Sequence, residues 1–127
     1  MNVSDRVRQL NLPPDQFVVV GGAVLEVLGI RASGDIDLTA SDSVLDTLAG
    51  DKTWSKQDLT DGSYVYQKDG YEVGNDWLGR SFAQLVSDTF EMDGIRYVSL
   101  ATVMAWKKQH NRPKDQADIK LIWDYLG

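Results

Sequence analysis

Residues Phe17-Val18-Val19-Val20 are wholly apolar and largely β-branched, and they stop at Gly21-Gly22. A run with no polar side to turn toward water predicts a buried strand. The glycine pair ends it, and Ala23 to Leu28 reads as a helix closed by Gly29. A buried strand needs other strands to pair with. The rest of the chain must therefore supply strands.

It does so in two ways. Asp35-Ile36-Asp37-Leu38-Thr39 alternates polar and apolar, as a half-buried strand does. Further on, Ser63 to Gln67, Tyr71 to Val73 and Phe90 to Val98 are β-formers punctuated by Asp61-Gly62, Asp69-Gly70 and Asp93-Gly94, pairs suited to hairpin turns. Helices are expected in five other places. Ser4, as N-cap, starts one that runs to Leu12, and Asp42 or Ser43 caps another that ends before Gly50. A turn or two covers Phe82 to Val86. Ser99 caps a helix to His110, and Pro113 opens the last, which ends at Leu126. The expected class is α/β (α+β), a small mixed β-sheet flanked by helices. The 127 residues are enough for one domain, 1–127. A doubly wound parallel fold would need more strand–helix alternation.

Composition removes several function classes. The chain has no cysteine, so it builds no disulfide scaffold, thiolate zinc site or cysteine nucleophile. Its one histidine, His110, is too few for a histidine-rich metal site. Nineteen acidic residues against thirteen basic ones give a net charge of −6, which argues against coating nucleic acid by charge alone. No apolar run approaches the ~20 residues of a membrane span, and the first twelve residues lack a signal-peptide core. A cytoplasmic protein with no membrane partner is the expectation.

Three constellations stand out. Gly21-Gly22 between strand and helix lets backbone approach a ligand closely, beside N–H groups suited to an anion; the plainer reading is a tight turn. Asp35 and Asp37, two apart on a strand, share a face and suit one divalent cation. Isolated Asp-x-Asp pairs are more commonly solvated acids on an edge. The third is Lys107, Lys108, Arg112 and Lys114 with Asp115 and Asp118, a local concentration of cations in an acidic chain. Its plainer reading is a solvated face with intrahelical pairs such as Asp115 with Lys108 or Arg112. Trp106, Trp123 and Tyr125 recur at helical spacing and read as core, while Trp77 is the better candidate to line a cleft. His110 reads as a partner of its helix dipole.

Taken in order, Gly21-Gly22, the helix, Gly29-Ile30-Arg31 and Asp35-Ile36-Asp37-Leu38 resemble the nucleotidyltransferase superfamily of the DNA polymerase β type. The run Lys107…Arg112-Pro113-Lys114-Asp115…Asp118 resembles the C-terminal signature of its small bacterial and abortive-infection-toxin-like branches. The resemblance spans about Phe17 to Leu126, and Lys52 to Asp69 carries little of it.

The resemblance implies a nucleotidyltransferase-like fold and transfer of a nucleoside monophosphate from an NTP to an acceptor hydroxyl, with release of pyrophosphate. Asp35 and Asp37 would hold Mg²⁺ or Mn²⁺. The third carboxylate would be Glu72, where the family more often has Asp, with Asp76 as its rival. Gly21, Gly22, Arg31, Lys107 and Lys114 would meet the nucleotide phosphates, with Arg112 as an alternative fork to Arg31. Arg31 has a second reading, as a partner of Asp115 or Asp118. The acceptor is open: a small molecule, a protein or an RNA, with a homodimer or partner chain completing the site. The alternative function is a non-catalytic nucleotide-binding or toxin–antitoxin-like module on the same fold.

Overall fold

The computed structural model describes residues 2–127. Among them, the chain runs α1 (Val3–Arg8), β1 (Phe17–Val20), α2 (Gly22–Val27), β2 (Ile36–Ala40), α3 (Asp42–Ala49), β3 (Ser55–Asp58), β4 (Tyr64–Lys68), β5 (Tyr71–Gly74), α4 (Phe82–Leu85), β6 (Thr89–Met92), β7 (Ile95–Val98), α5 (Leu100–His110) and α6 (Pro113–Leu126). A 3-10 turn, Pro14–Gln16, leads into β1.

The strands form one mixed sheet in the order β3-β4-β5-β2-β1-β7-β6. β1 lies near its middle, antiparallel to β2 and parallel to β7, and β2 is parallel to β5. The outer strands join by hairpins. Asp69-Gly70 and Asp93-Gly94 both take positive φ at each residue, the geometry that two-residue hairpin turns demand. All four β1 side chains are buried, as the apolar run required. They join Ala23, Val24 and Leu25 of α2, Ile36 and Leu38 of β2, Val98 of β7, Val103 of α5 and Ile122 of α6 in the core.

Capping chemistry moves two helix starts. Asn2, not Ser4, caps α1: its side chain accepts from the Asp5 N–H at 2.8 Å. Ser4 is buried inside the helix, 2.6 Å from the Tyr97 hydroxyl. The helix also stops at Arg8, four residues short of Leu12. Likewise Ser41, one residue before the expected candidates, caps α3 by accepting from Val44 N–H. The Ser99 cap, the end of α5 at His110 and the span of α6 are as expected. The apolar C-terminal aromatics are not core: Trp123 is 55% and Tyr125 50% exposed.

Candidate active site

The site is built around the turn from β1 to α2. Gly21 has φ 72 and ψ −147, a region that side-chain-bearing residues scarcely enter. A Cβ placed there would lie 3.2 Å from Asp37 Oδ2. The next residue, Gly22, faces the other way in charge: a Cβ there would lie 3.6 Å from Arg31 Nη2 and 3.0 Å from Ser33 Oγ. One step of backbone thus separates an acid from a guanidinium. No side chain caps the first turn of α2.

On the acidic side, β2 and β5 run in parallel register with Asp37 opposite Glu72. Directly opposed residues share a sheet face about 5 Å apart, so the two carboxylates are neighbours. Asp37 carries no hydrogen bond and no ion pair among the described residues. Burial, then Glu72, then Asp35 push its carboxyl up to about 6. Asp35 lies one residue before β2 and is exposed. Its Oδ1 is close to Gly70, where a Cβ would meet it at 3.6 Å. The Asp35–Thr39 strand therefore begins one residue later than expected. Asp35 leans toward the β4–β5 turn and Asp37 toward Gly21. The loop that delivers Asp35 is pinned by Glu26 of α2, which accepts from Ser33 N–H at 2.5 Å and pairs with Arg6 at 3.3 Å. Asp76, the rival third acid, lies beyond β5 and accepts from Gly79 N–H, among Asp61, Ser63 and Asn75.

Among the described residues, no three of His, Cys, Asp and Glu converge into a ready-made metal cage. The donor set nonetheless fits magnesium. Mg²⁺ takes hard oxygen ligands, and one or two carboxylates suffice when substrate phosphates and waters complete the octahedron. Asp37, half-buried and raised by two neighbouring acids, is a carboxylate that a cation would relieve.

On the basic side the outcome differs from the sequence expectation. Arg31 is not free: its Nε and Nη2 donate to Asp118 Oδ1 and Oδ2 at 2.6 and 2.9 Å, the second of its two readings. Lys107 is only 4% exposed and sits 2.8 Å from Asp118 and 3.5 Å from Asp115. Asp115 is fully buried and receives Arg112 Nε at 2.6 Å. That guanidinium, with further help from the Arg112 N–H and Lys107, holds the Asp115 carboxyl down at about 2. Lys114 is exposed and makes no ion pair among the described residues. Three cations, Arg31, Lys107 and Arg112, therefore share two acids, and Lys114 is a fourth cation beside them. They border a cleft of about 510 Å³ that also includes Gly22, Trp106 and Leu121. Trp106 takes the lining role expected of Trp77, whose ring instead packs edge-on against Trp106 at 5.5 Å. Sequence reasoning gave Asp115 and Asp118 only pairing roles. Their burial is what identifies them as the cluster's organisers.

Compared with protein-family models, curated proteins and solved structures, the chain matches none.

Proposed function

We propose that the protein is a metal-dependent nucleotidyltransferase on a nucleotidyltransferase-like fold, moving an NMP group from an NTP to an acceptor hydroxyl. The observation that carries this reading is the Gly21-Gly22 turn, with unpaired Asp37 against one glycine and Arg31 against the next. A metal–triphosphate presents the same alternation, cation beside anion, and needs backbone without side chains to come close.

Asp35, Asp37 and Glu72 would hold the metal, which supplies Lewis-acid charge stabilisation at the α-phosphate. Gly21 and Gly22 leave room for the phosphates. The two cations in excess of Asp115 and Asp118, Lys114 foremost because it is unpaired, attract the polyphosphate. The acceptor oxygen forms a bond to the α-phosphorus as the bond to the β-phosphate oxygen breaks. Glu72 accepts the hydroxyl proton, and pyrophosphate carries away the negative charge.

The test is incubation with each α-labelled NTP and Mg²⁺ or Mn²⁺, following pyrophosphate release and transfer of label. Turnover that disappears in Asp37→Asn supports the reading. The second reading, a nucleotide-binding module without turnover, is favoured by Arg31 and Lys107 being tied to acids. It predicts a rise in Tm with NTP but no pyrophosphate. A protein whose Tm ignores NTP and metal, and which releases no pyrophosphate, refutes both.

A further inference from the structure

Residues 31–35, which lead the chain to β2 and end in Asp35, make no backbone–backbone hydrogen bond among the described residues. The next such bond is from Ile36 N–H to the Gly70 carbonyl, at 3.0 Å. A loop with no ladder or helix of its own takes its position from the side chains that reach it. Here they come from three helices. Arg31 is held by Asp118 of α6. Ser33 N–H donates to Glu26 of α2 at 2.5 Å, and Arg6 Nη2 of α1 donates to the Gly34 carbonyl at 2.6 Å. The last two fasten consecutive residues immediately before Asp35. The Ser33 hydroxyl then donates to the Asp35 carbonyl at 3.2 Å.

Arg6 and Glu26 also hold each other. Arg6 Nη1 lies 3.3 Å from Glu26 Oε2, so one guanidinium spans the acid of α2 and the loop carbonyl. Their side chains are 27% and 22% exposed, which limits the screening that makes fully exposed pairs weak. The Arg6 carbonyl in turn accepts from the Tyr71 hydroxyl at 2.8 Å, and Tyr71 immediately precedes Glu72 in β5. One residue of α1 therefore touches the segment that delivers Asp35 and the strand that delivers Glu72.

Resting on the nucleotidyltransferase reading, we infer that Arg6 and Glu26 are positioning residues of the metal site: they fix where Asp35 stands relative to Asp37 and Glu72. Magnesium demands near-ideal octahedral geometry, so an Asp35 on an unfastened loop would have to be ordered at the expense of ion affinity. Charge and position predict different signs. By Coulomb's law alone, removing the Arg6 charge tightens a nearby cation site and removing the Glu26 charge loosens it. Loss of positioning loosens the site in both cases.

The test is Mn²⁺ binding to the full chain without NTP, read from the paramagnetic resonance signal of the free ion. Arg6→Met keeps the stem, loses both donors and should weaken Mn²⁺ by about tenfold. Glu26→Ala should do the same, while Glu26→Gln, which keeps an acceptor for Ser33 N–H, should stay within about threefold of the unsubstituted chain. This second pair carries the test if Arg6→Met does not fold. On an Asp35→Asn background, Arg6→Met should weaken the ion no further. Amide exchange at Ser33, whose own bond Arg6→Met leaves in place, should quicken by about tenfold in that variant. Unchanged or tighter Mn²⁺ in Arg6→Met, Glu26→Gln as weak as Glu26→Ala, the full loss persisting on the Asp35→Asn background, unchanged Ser33 exchange, or an unsubstituted chain that binds no Mn²⁺ would each overturn the inference. The pyrophosphate assay decides the transferase reading separately.

Discussion

Two charged regions meet at the β1–α2 turn and treat their charges in opposite ways. Behind Gly22, Arg31, Lys107, Arg112, Asp115 and Asp118 are locked into one network, with Asp115 fully buried and Lys107 nearly so. Beside Gly21, Asp37 lies opposite Glu72 with Asp35 two residues before it and no cation paired to it, and burial first, then those two acids, push its carboxyl up to about 6. A buried charge with partners is part of the structure, and removing one partner leaves another stranded. A half-buried charge without partners costs stability in the protein alone, which is tolerable where a ligand is to supply the missing charge. Under the proposed function, the contrast separates residues that hold the fold from residues that meet the substrate.

The sharpest way to break this comparison is to neutralise one residue in each region. Asp37→Asn should lower NMP transfer by about 10³-fold or more, read from pyrophosphate release, while Tm stays level or rises. Asp118→Ala should do the reverse in kind. It leaves buried Lys107 with only Asp115 at 3.5 Å and frees Arg31, and should cost about 3 kcal/mol in urea unfolding.

The pH profile sharpens the contrast further. Asp37 is raised above its unfolded value, so between about pH 4 and 6 the native state holds more protons than the unfolded one. Stability must then fall as pH rises through that window, by about 2–3 kcal/mol, and stay level above it. Asp37→Asn should remove this slope. Asp115, held at about 2, has the opposite sign: its contribution is present above about pH 4 and is lost as pH falls toward 2. Urea midpoints at a series of pH values check both limbs.

Smaller effects probe the turn and its rim. Gly21→Ala forces a Cβ into a glycine conformation against Asp37 and should cost about 1–2 kcal/mol, together with loss of transfer. Gly29→Ala has a similar positive φ (75) but no neighbour within 4 Å, and should cost stability alone. Lys114→Ala should weaken NTP binding by only about threefold to tenfold, at unchanged Tm, because that lysine is exposed. Equilibrium binding of labelled NTP measures it.

How much of this was legible before folding differs between the regions. β1, the hairpins at Asp69-Gly70 and Asp93-Gly94, and α5 and α6 follow from residue type over a few positions, and they formed as expected. The caps of α1 and α3 were off because several adjacent polar residues compete for the role. At α1, the buried Tyr97 hydroxyl claims Ser4. The Trp123 and Tyr125 reading failed because helical spacing shows that a face is apolar, not that another element covers it.

The sequence by itself determined the element order, the glycine turn and the presence of acids and cations in a suggestive order. Local backbone preference and the apolar pattern are enough for that, since both act over a few residues. Only the tertiary structure decided which charges neutralise one another. Arg31 and Asp118 are 87 positions apart, and Asp37 meets Glu72 through the parallel register of β2 with β5. Such partnerships depend on how the core closes around β1, because a charge's free energy is set by its burial and its nearest opposite charge. Neither quantity is a property of a stretch of chain.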